Sequence, residues 1–165
     1  MKKILFILLS LFFICAPYSK SAVIEGSISM SDKVPKEFFG DWKVISVCTK
    51  STDNELLNSK SVDIWVLSRI GNRIMLSNPL SGARAEITAD EVKGKTVKFE
   101  KKSIYPDEYS LETPILTLQG DKFTGVDKIS IKTFQNGKLV KEDYVEYQVK
   151  GTKISGVGIS TIFGM

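Results

Sequence analysis

The 165 residues include no histidine. That absence removes Ser-His-acid and Cys-His catalysis, and with them every histidine-based metal site. Cysteine is nearly as scarce, with Cys15 and Cys48 as the two examples. One of them lies in a segment that reads as removable, which leaves Cys48 alone. A single thiol makes neither an intramolecular disulfide nor a structural zinc site. The fold must therefore rest on its core, and Cys48 reads as one of its small buried apolar residues. The chain also lacks long apolar runs and Asn-x-Ser/Thr acceptor sites. Composition is otherwise that of a globular domain, 42% hydrophobic and 25% charged. The length suits one domain with a real core.

The N-terminus carries the pattern of a secretory signal. Lys2 and Lys3 form a positive start, and Ile4 to Ile14 is apolar apart from Ser10. Ser19 and Ser21 are the small residues expected before a cut between Ser21 and Ala22. A spanning helix needs roughly 20 apolar residues, more than this run supplies. A lipoprotein alternative would acylate Cys15, although Ile14 stands where a small residue is usual. Residues 1–21 are thus expected to be a signal peptide, and the product to be exported, periplasmic or secreted. Lys2, Lys3 and Lys20 belong to the net charge of +4, and the segment holds no acid, so the remaining chain carries +1. That balance argues against nucleic acid as a partner, because such binding needs a concentrated basic face. The Lys/Ile-rich signal suits a bacterial protein.

The rest of the chain reads as strands and turns. Residues 22–37 are polar and suggest a flexible arm. From Phe38 onward, alternation and β-rich composition predict strands at Asp41–Cys48, Val62–Arg69, Arg73–Ser77, Ala83–Thr88, Thr96–Glu100, Thr113–Leu118, Phe123–Phe134 and Leu139–Val149. Gly71-Asn72 and Asn136-Gly137 are hairpin signals, since these residue types tolerate positive φ. Glu55–Ser59 is the one stretch that suits a short helix. About eight strands joined by short turns predict an all-β domain over residues 38–165, a single antiparallel up-and-down barrel. Closure hides the edges, and the clean alternation puts apolar side chains on one face. The glycine-rich end, Gly151 to Met165, reads as a last strand or plug, or else as a tail for a partner or membrane.

Chemistry-bearing clusters are few. The carboxylate pairs Asp90-Glu91, Asp107-Glu108 and Glu142-Asp143 are each adjacent in sequence. Neighbours in a strand point to opposite faces, so Glu142-Asp143 forms no acid/base dyad. Lys101-Lys102 beside Lys98 reads as a solubilising basic cluster. The glycine spacing does not follow a phosphate loop, so no nucleotide is expected. No cofactor, no metal and no enzymatic activity are expected. The aromatic residues, including Trp42, Trp65 and several phenylalanines, suit a core or the lining of a cavity.

One string resembles a known family. Pro35-Lys-Glu-Phe-Phe-Gly40-Asp-Trp42-Lys-Val44 looks like the opening of a calycin-type barrel, as in lipocalins, which begin the first strand with Gly-x-Trp. The resemblance rests on Gly40 and Trp42 and on strand order across residues 38–150. It implies that Trp42 plugs one barrel end, that Gly40 permits a tight turn before it, and that a late Lys or Arg packs over the indole. Lys150 and Lys153 are the candidates, and strand parity places Lys150 on the polar face. The lipocalin disulfide pair is missing.

The expectation that follows is a lipocalin-like carrier of a small hydrophobic or amphipathic ligand, bound by apolar burial inside the barrel. Parity nominates Trp42, Val44, Val66, Val97, Phe99, Ile129, Ile131, Val145 and Tyr147 as wall residues. A loop from Ile104 to Ser110, with Tyr105 and Tyr109, is nominated as a lid. The alternative is a non-enzymatic interaction module, such as an inhibitor, immunity-type protein or envelope adaptor, that works through its outer face or loops. It predicts a filled interior and an exposed aromatic patch.

Overall fold

The computed structural model describes residues 30–156 and 159–160; the predicted signal segment and the last residues of the glycine-rich end lie outside them. Nine strands follow one another: β1 Gly40–Ser51, β2 Lys60–Ile70, β3 Arg73–Asn78, β4 Ala83–Lys93, β5 Thr96–Tyr105, β6 Glu108–Gln119, β7 Lys122–Gln135, β8 Lys138–Ser155 and β9 Ile159–Ser160. Each of the first eight pairs antiparallel with its sequence neighbour, and β1 also pairs with β8. The chain therefore closes into an eight-stranded up-and-down barrel, each of those strands paired on both sides for part of its length. β9 adds a short parallel contact, Arg69 opposite Ile159, outside the meander. The stretch expected to suit a helix forms a single 3-10 turn, Asn54–Leu56, with the Asp53 side chain accepting from the Glu55 N–H.

Local chemistry explains the turns. Asn136 and Gly137 both take positive φ, 53° and 74°, as a two-residue hairpin with the strands' own twist requires. Pro114 sits inside β6 yet disturbs nothing. It has no N–H to give, and the β5–β6 ladder is interrupted there, between Lys98–Ile115 and Lys101–Glu112. The stretch expected to be a loop at Ile104–Ser110 is instead a tight hairpin, with Tyr105 opposite Glu108 and Ile104 opposite Tyr109.

The core fills one half of the barrel. Trp42, Val44, Leu67, Ile74, Val97, Phe99, Leu116, Phe123 and Val149 are all essentially solvent-free there. Alternation delivers them, since each stands on the inward face of its strand. Gly151 is part of the fit: a Cβ at that position would run into the Phe123 ring.

Residues 30–39 close this end. The segment expected to be a flexible arm is packed from Met30 onward. The Met30 N–H donates to Ala89 O at 2.9 Å, and Arg69 Nη1 donates to Ser31 O at 3.0 Å. Val34, Phe38 and Phe39 are buried, and Phe38 meets Phe99 edge-on at 5.9 Å. Apolar residues at 34, 38 and 39 outweigh the polar content that suggested an arm, because the barrel offers them an open apolar end. A 3-10 turn, Lys36–Phe38, leads into β1.

Gly40 makes that junction possible. Its φ of +128° and its approach to the Ser155 carbonyl, 2.6 Å from where a Cβ would stand, exclude a side chain. Two residues on, Trp42 Nε1 donates to Phe38 O at 2.7 Å. Lys153, and not Lys150, covers the indole: its Nζ stands 5.2 Å from the ring and donates to Glu37 O at 2.7 Å. Trp42 is Lys153's cross-strand neighbour, whereas Lys150 is opposite Ile45 on the outer face. Lys153→Met should keep the stem's packing and lose the cation–π contact and the hydrogen bond, lowering stability by about 1 kcal/mol in urea unfolding. A variant as stable as the parent would remove the ammonium from this account.

Candidate ligand-binding cavity

Side chains change character along the barrel axis. The packed half ends at Trp65, Leu76 and Pro114. Beyond them the inward positions of β3 to β6 are small or polar, Asn78 on β3, Ala83 and Ala85 on β4, Lys101 on β5 and Glu112 on β6, while β7 and β8 carry Asp127 among Ile129, Ile131, Val145 and Tyr147. Alanines leave space where larger residues would meet across the barrel. The result is a cavity of about 170 Å³, bounded by Trp65, Leu76, Asn78, Ala85, Lys101 and Glu112. Beneath it, a void of about 10 Å³ lies among Leu67, Ile87, Phe99 and Leu116. That is room for no more than about one water, so the lower half is full.

The wall is open beside the cavity. The β4–β5 ladder runs from Lys93–Thr96 to Thr88–Glu100, and a bulge interrupts it near Ala89. Above that point β4 and β5 diverge. A cleft of about 350 Å³ occupies the gap, lined by Arg84, Ala85, Lys101, Ser103, Tyr105 and Ser110. It shares Arg84, Ala85 and Lys101 with the interior cavity, so a molecule has a lateral way in.

Arg84, Lys101 and Glu112 are the charged residues that line the cavity, and Asp63 and Asp127 stand on the same inward face without lining it. Lys101 Nζ holds Glu112 Oε2 at 2.6 Å, and Asn78 Nδ2 donates to Asp63 Oδ1 at 2.9 Å. Asp127 is the exception. It is 4% exposed, and its Oδ1 is buried without a hydrogen-bond partner. Burial, reinforced by the nearby Glu112 charge and opposed by Lys101, pushes its carboxyl up to about 7. Tyr147, opposite Asp127 on β8, is also raised, first by burial and then by Cys48 and Asp127.

The nominated residues divide into groups. Trp42, Val44, Val97 and Phe99 are inward but lie in the packed half, where they touch other core side chains. Ile129, Ile131, Val145 and Tyr147 share the inward face of β7 and β8 in the open half. Val66 is a correction. It is opposite Asp41 on β1 and Ser77 on β3, which are outer-face positions, so it stands outside the barrel. β2 is apolar on both faces there, and only the pairing of Trp42 with Trp65 decides which residues point in. Tyr105 and Tyr109 are also corrected. They lie on opposite faces of a hairpin, so they do not form a loop-borne lid; Tyr105 lines the cleft and Tyr109 faces outward.

The residues that sequence reasoning missed are the inward charges. Lys101 shares parity with Val97 and Phe99, Glu112 with Leu116 and Leu118, and Asp127 with Ile129 and Ile131. That signal was present in the alternation. Charge argued against it, because an isolated ionised group is costly to bury. Lys98, by contrast, is on the outer face, held by Asp90 at 2.6 Å and Glu100 at 3.1 Å. The three-lysine cluster is therefore split between the two faces of one strand. Comparison with protein families, with curated proteins and with solved structures finds no match to this chain.

Proposed function

We propose that this barrel is an exported, non-enzymatic, lipocalin-like carrier that takes a small apolar or amphipathic ligand into its open half. The observation that supports it best is the half-filled interior: a packed floor at Trp65 and Leu76, with an unfilled cavity above it that reaches solvent through the β4–β5 gap. The cleft falls in the range usual for small-ligand sites, about 300–1,000 Å³. The Gly40-x-Trp42 opening and the lysine over the indole support the likeness to lipocalins. Affinity would come from covering the apolar floor, at about 25 cal/mol per Å² before ordering costs.

Trp65 borders the cavity and reports on it. Titration with the fluorescent probe N-phenyl-1-naphthylamine should give saturable enhancement with quenching of tryptophan emission. Ala85→Trp places a large side chain in the space between β4 and β5 and should weaken that binding about tenfold or more, with little effect on unfolding temperature because the site is not packed. Absence of saturable binding by the parent protein overturns the carrier reading.

A second reading has a specific observation behind it. Leu57, Leu80, Leu139 and Val140 are exposed, Leu80 at 69%, with Leu57 and Leu80 in connections and Leu139 and Val140 at the start of β8, all at the open end. These exposed aliphatic side chains suit docking against another protein, although the interaction-module alternative predicts an exposed aromatic patch. Replacing Leu80 and Val140 with serine should then abolish complex formation while leaving probe binding intact.

A further inference from the structure

We infer that the gap between β4 and β5 is a strand-acceptor site, which takes an extended segment of a partner protein that alternates aliphatic and polar residues and carries an acidic one beside Arg84. Such a site stands whether or not the cavity carries a small ligand. Two strand edges face each other across the gap. Residues 83–87 of β4 are paired with β3 alone, and residues 101–105 of β5 with β6 alone. The ladder that joins β4 to β5 stops at Thr88 and Glu100. On each strand the backbone groups that point away from the paired neighbour therefore have no ladder partner among the described residues. Each edge is about 17 Å long, at about 3.4 Å per residue. Two such edges on either side of one opening are a template for one more strand. The cleft of about 350 Å³ between them is the room it occupies.

Pleating decides which side chains the segment needs, because successive residues of an inserted strand point alternately into the barrel and out of it. The inward ones meet the cavity of about 170 Å³ with its floor at Trp65 and Leu76, so aliphatic side chains suit them. The outward ones lie between Arg84 on β4 and Lys102 on β5. Lys102 is already engaged by Glu100 at 3.5 Å, and Glu86, the acid nearest along the β4 edge, leans to Arg73 at 3.9 Å. Arg84 is exposed and joins no ion pair among the described residues, which leaves its guanidinium for an acid of the segment. The bulge near Ala89 and the inward Lys101 discourage indiscriminate pairing. Side chains of the segment, and not its backbone alone, therefore determine what binds. A small apolar ligand fills the cavity and leaves both edges unpaired; an extended backbone pairs them.

Selection of random heptapeptides displayed on phage against the full chain tests the site. Enriched sequences should alternate aliphatic and polar residues and include aspartate or glutamate. A synthetic copy at about ten times its Kd should slow the exchange of alternate amides within residues 83–87 and 101–105 about tenfold. N-methylation of its central residues removes backbone donors, keeps every side chain, and should abolish binding. Arg84→Glu should weaken the peptide about fivefold, the upper worth of an exposed ion pair, and remove the preference for an acid. Selection that enriches no peptide, an N-methylated copy that binds as well as its parent, protection outside the gap, or an acid preference that persists in Arg84→Glu overturns the strand-acceptor assignment. N-phenyl-1-naphthylamine separates that failure from failure of the carrier reading. A protein that binds the peptide but not the probe keeps the strand site and loses the carrier, and one that binds the probe but no peptide keeps the carrier alone.

Discussion

Trp42→Ala is expected to lower stability by about 4 kcal/mol, a large share of the roughly 5–15 kcal/mol a single domain has. The indole is fully buried and contacts Phe123 with ring centroids 4.9 Å apart. It also donates to the Phe38 carbonyl at the end of the 3-10 turn and receives Lys153 on its face. Truncation removes the apolar area, leaves a cavity that rigid strands cannot close, and strands the Phe38 carbonyl. The loss should spread to the terminal cap. Phe38 and Phe39 would lose part of the surface they cover, so amides from Met30 to Phe39 should exchange before the barrel unfolds globally. Trp42→Phe keeps most of the ring and forfeits the hydrogen bond, so it should cost less, about 1–2 kcal/mol. Urea unfolding of the three proteins at one pH checks the order. Equal stabilities would show that the indole is not what closes this end.

The second large effect concerns Asp127 and has a sign that depends on pH. Its folded pKa, about 7, is above the usual aspartate value, because burial penalises the charged form. Between about pH 4 and pH 7 the unfolded chain holds fewer protons than the folded one, so this group makes stability fall as pH rises through that window. The penalty is absent below the unfolded value and complete above the folded one. Asp127→Asn removes the titration. It should leave stability nearly unchanged at pH 4 and raise it by on the order of 2 kcal/mol at pH 8, after allowing for the amide's own desolvation. Glu146, whose carboxylate is held low by hydrogen bonds from Tyr144 and Lys50, contributes a slope of opposite sign at lower pH in both proteins. The difference between variant and parent therefore isolates Asp127. A variant less stable than the parent at pH 8 would mean that the aspartate has a partner in solution.

Both predictions turn on residues that alternation placed unequally well. Trp42 was legible because glycine two positions earlier and apolar neighbours mark a strand that begins in a tight turn. Asp127 was not, because a charge in an apolar period reads as an outward residue until the opposite strand is known. Lys101 is the same case, paired with an acid eleven residues further along on β6. The packed character of residues 30–39 was missed for another reason. Their charged residues face water and their apolar ones face the barrel end, a division that exists only once the end is there to cover.

Period-two alternation, the Asn136-Gly137 turn and the Gly40-x-Trp42 string are local properties, and by themselves they determined an all-β meander whose first strand carries the plug. Which face of β2 turns inward, that Lys153 rather than Lys150 reaches the indole, and that β4 parts from β5 to open a cavity were decided only by the closed barrel. These features depend on pairings between distant segments, such as Trp42 with Lys153, whose register no single strand contains. A shift of one residue in any ladder reverses every side chain on that strand, so inside and outside are properties of the assembled wall.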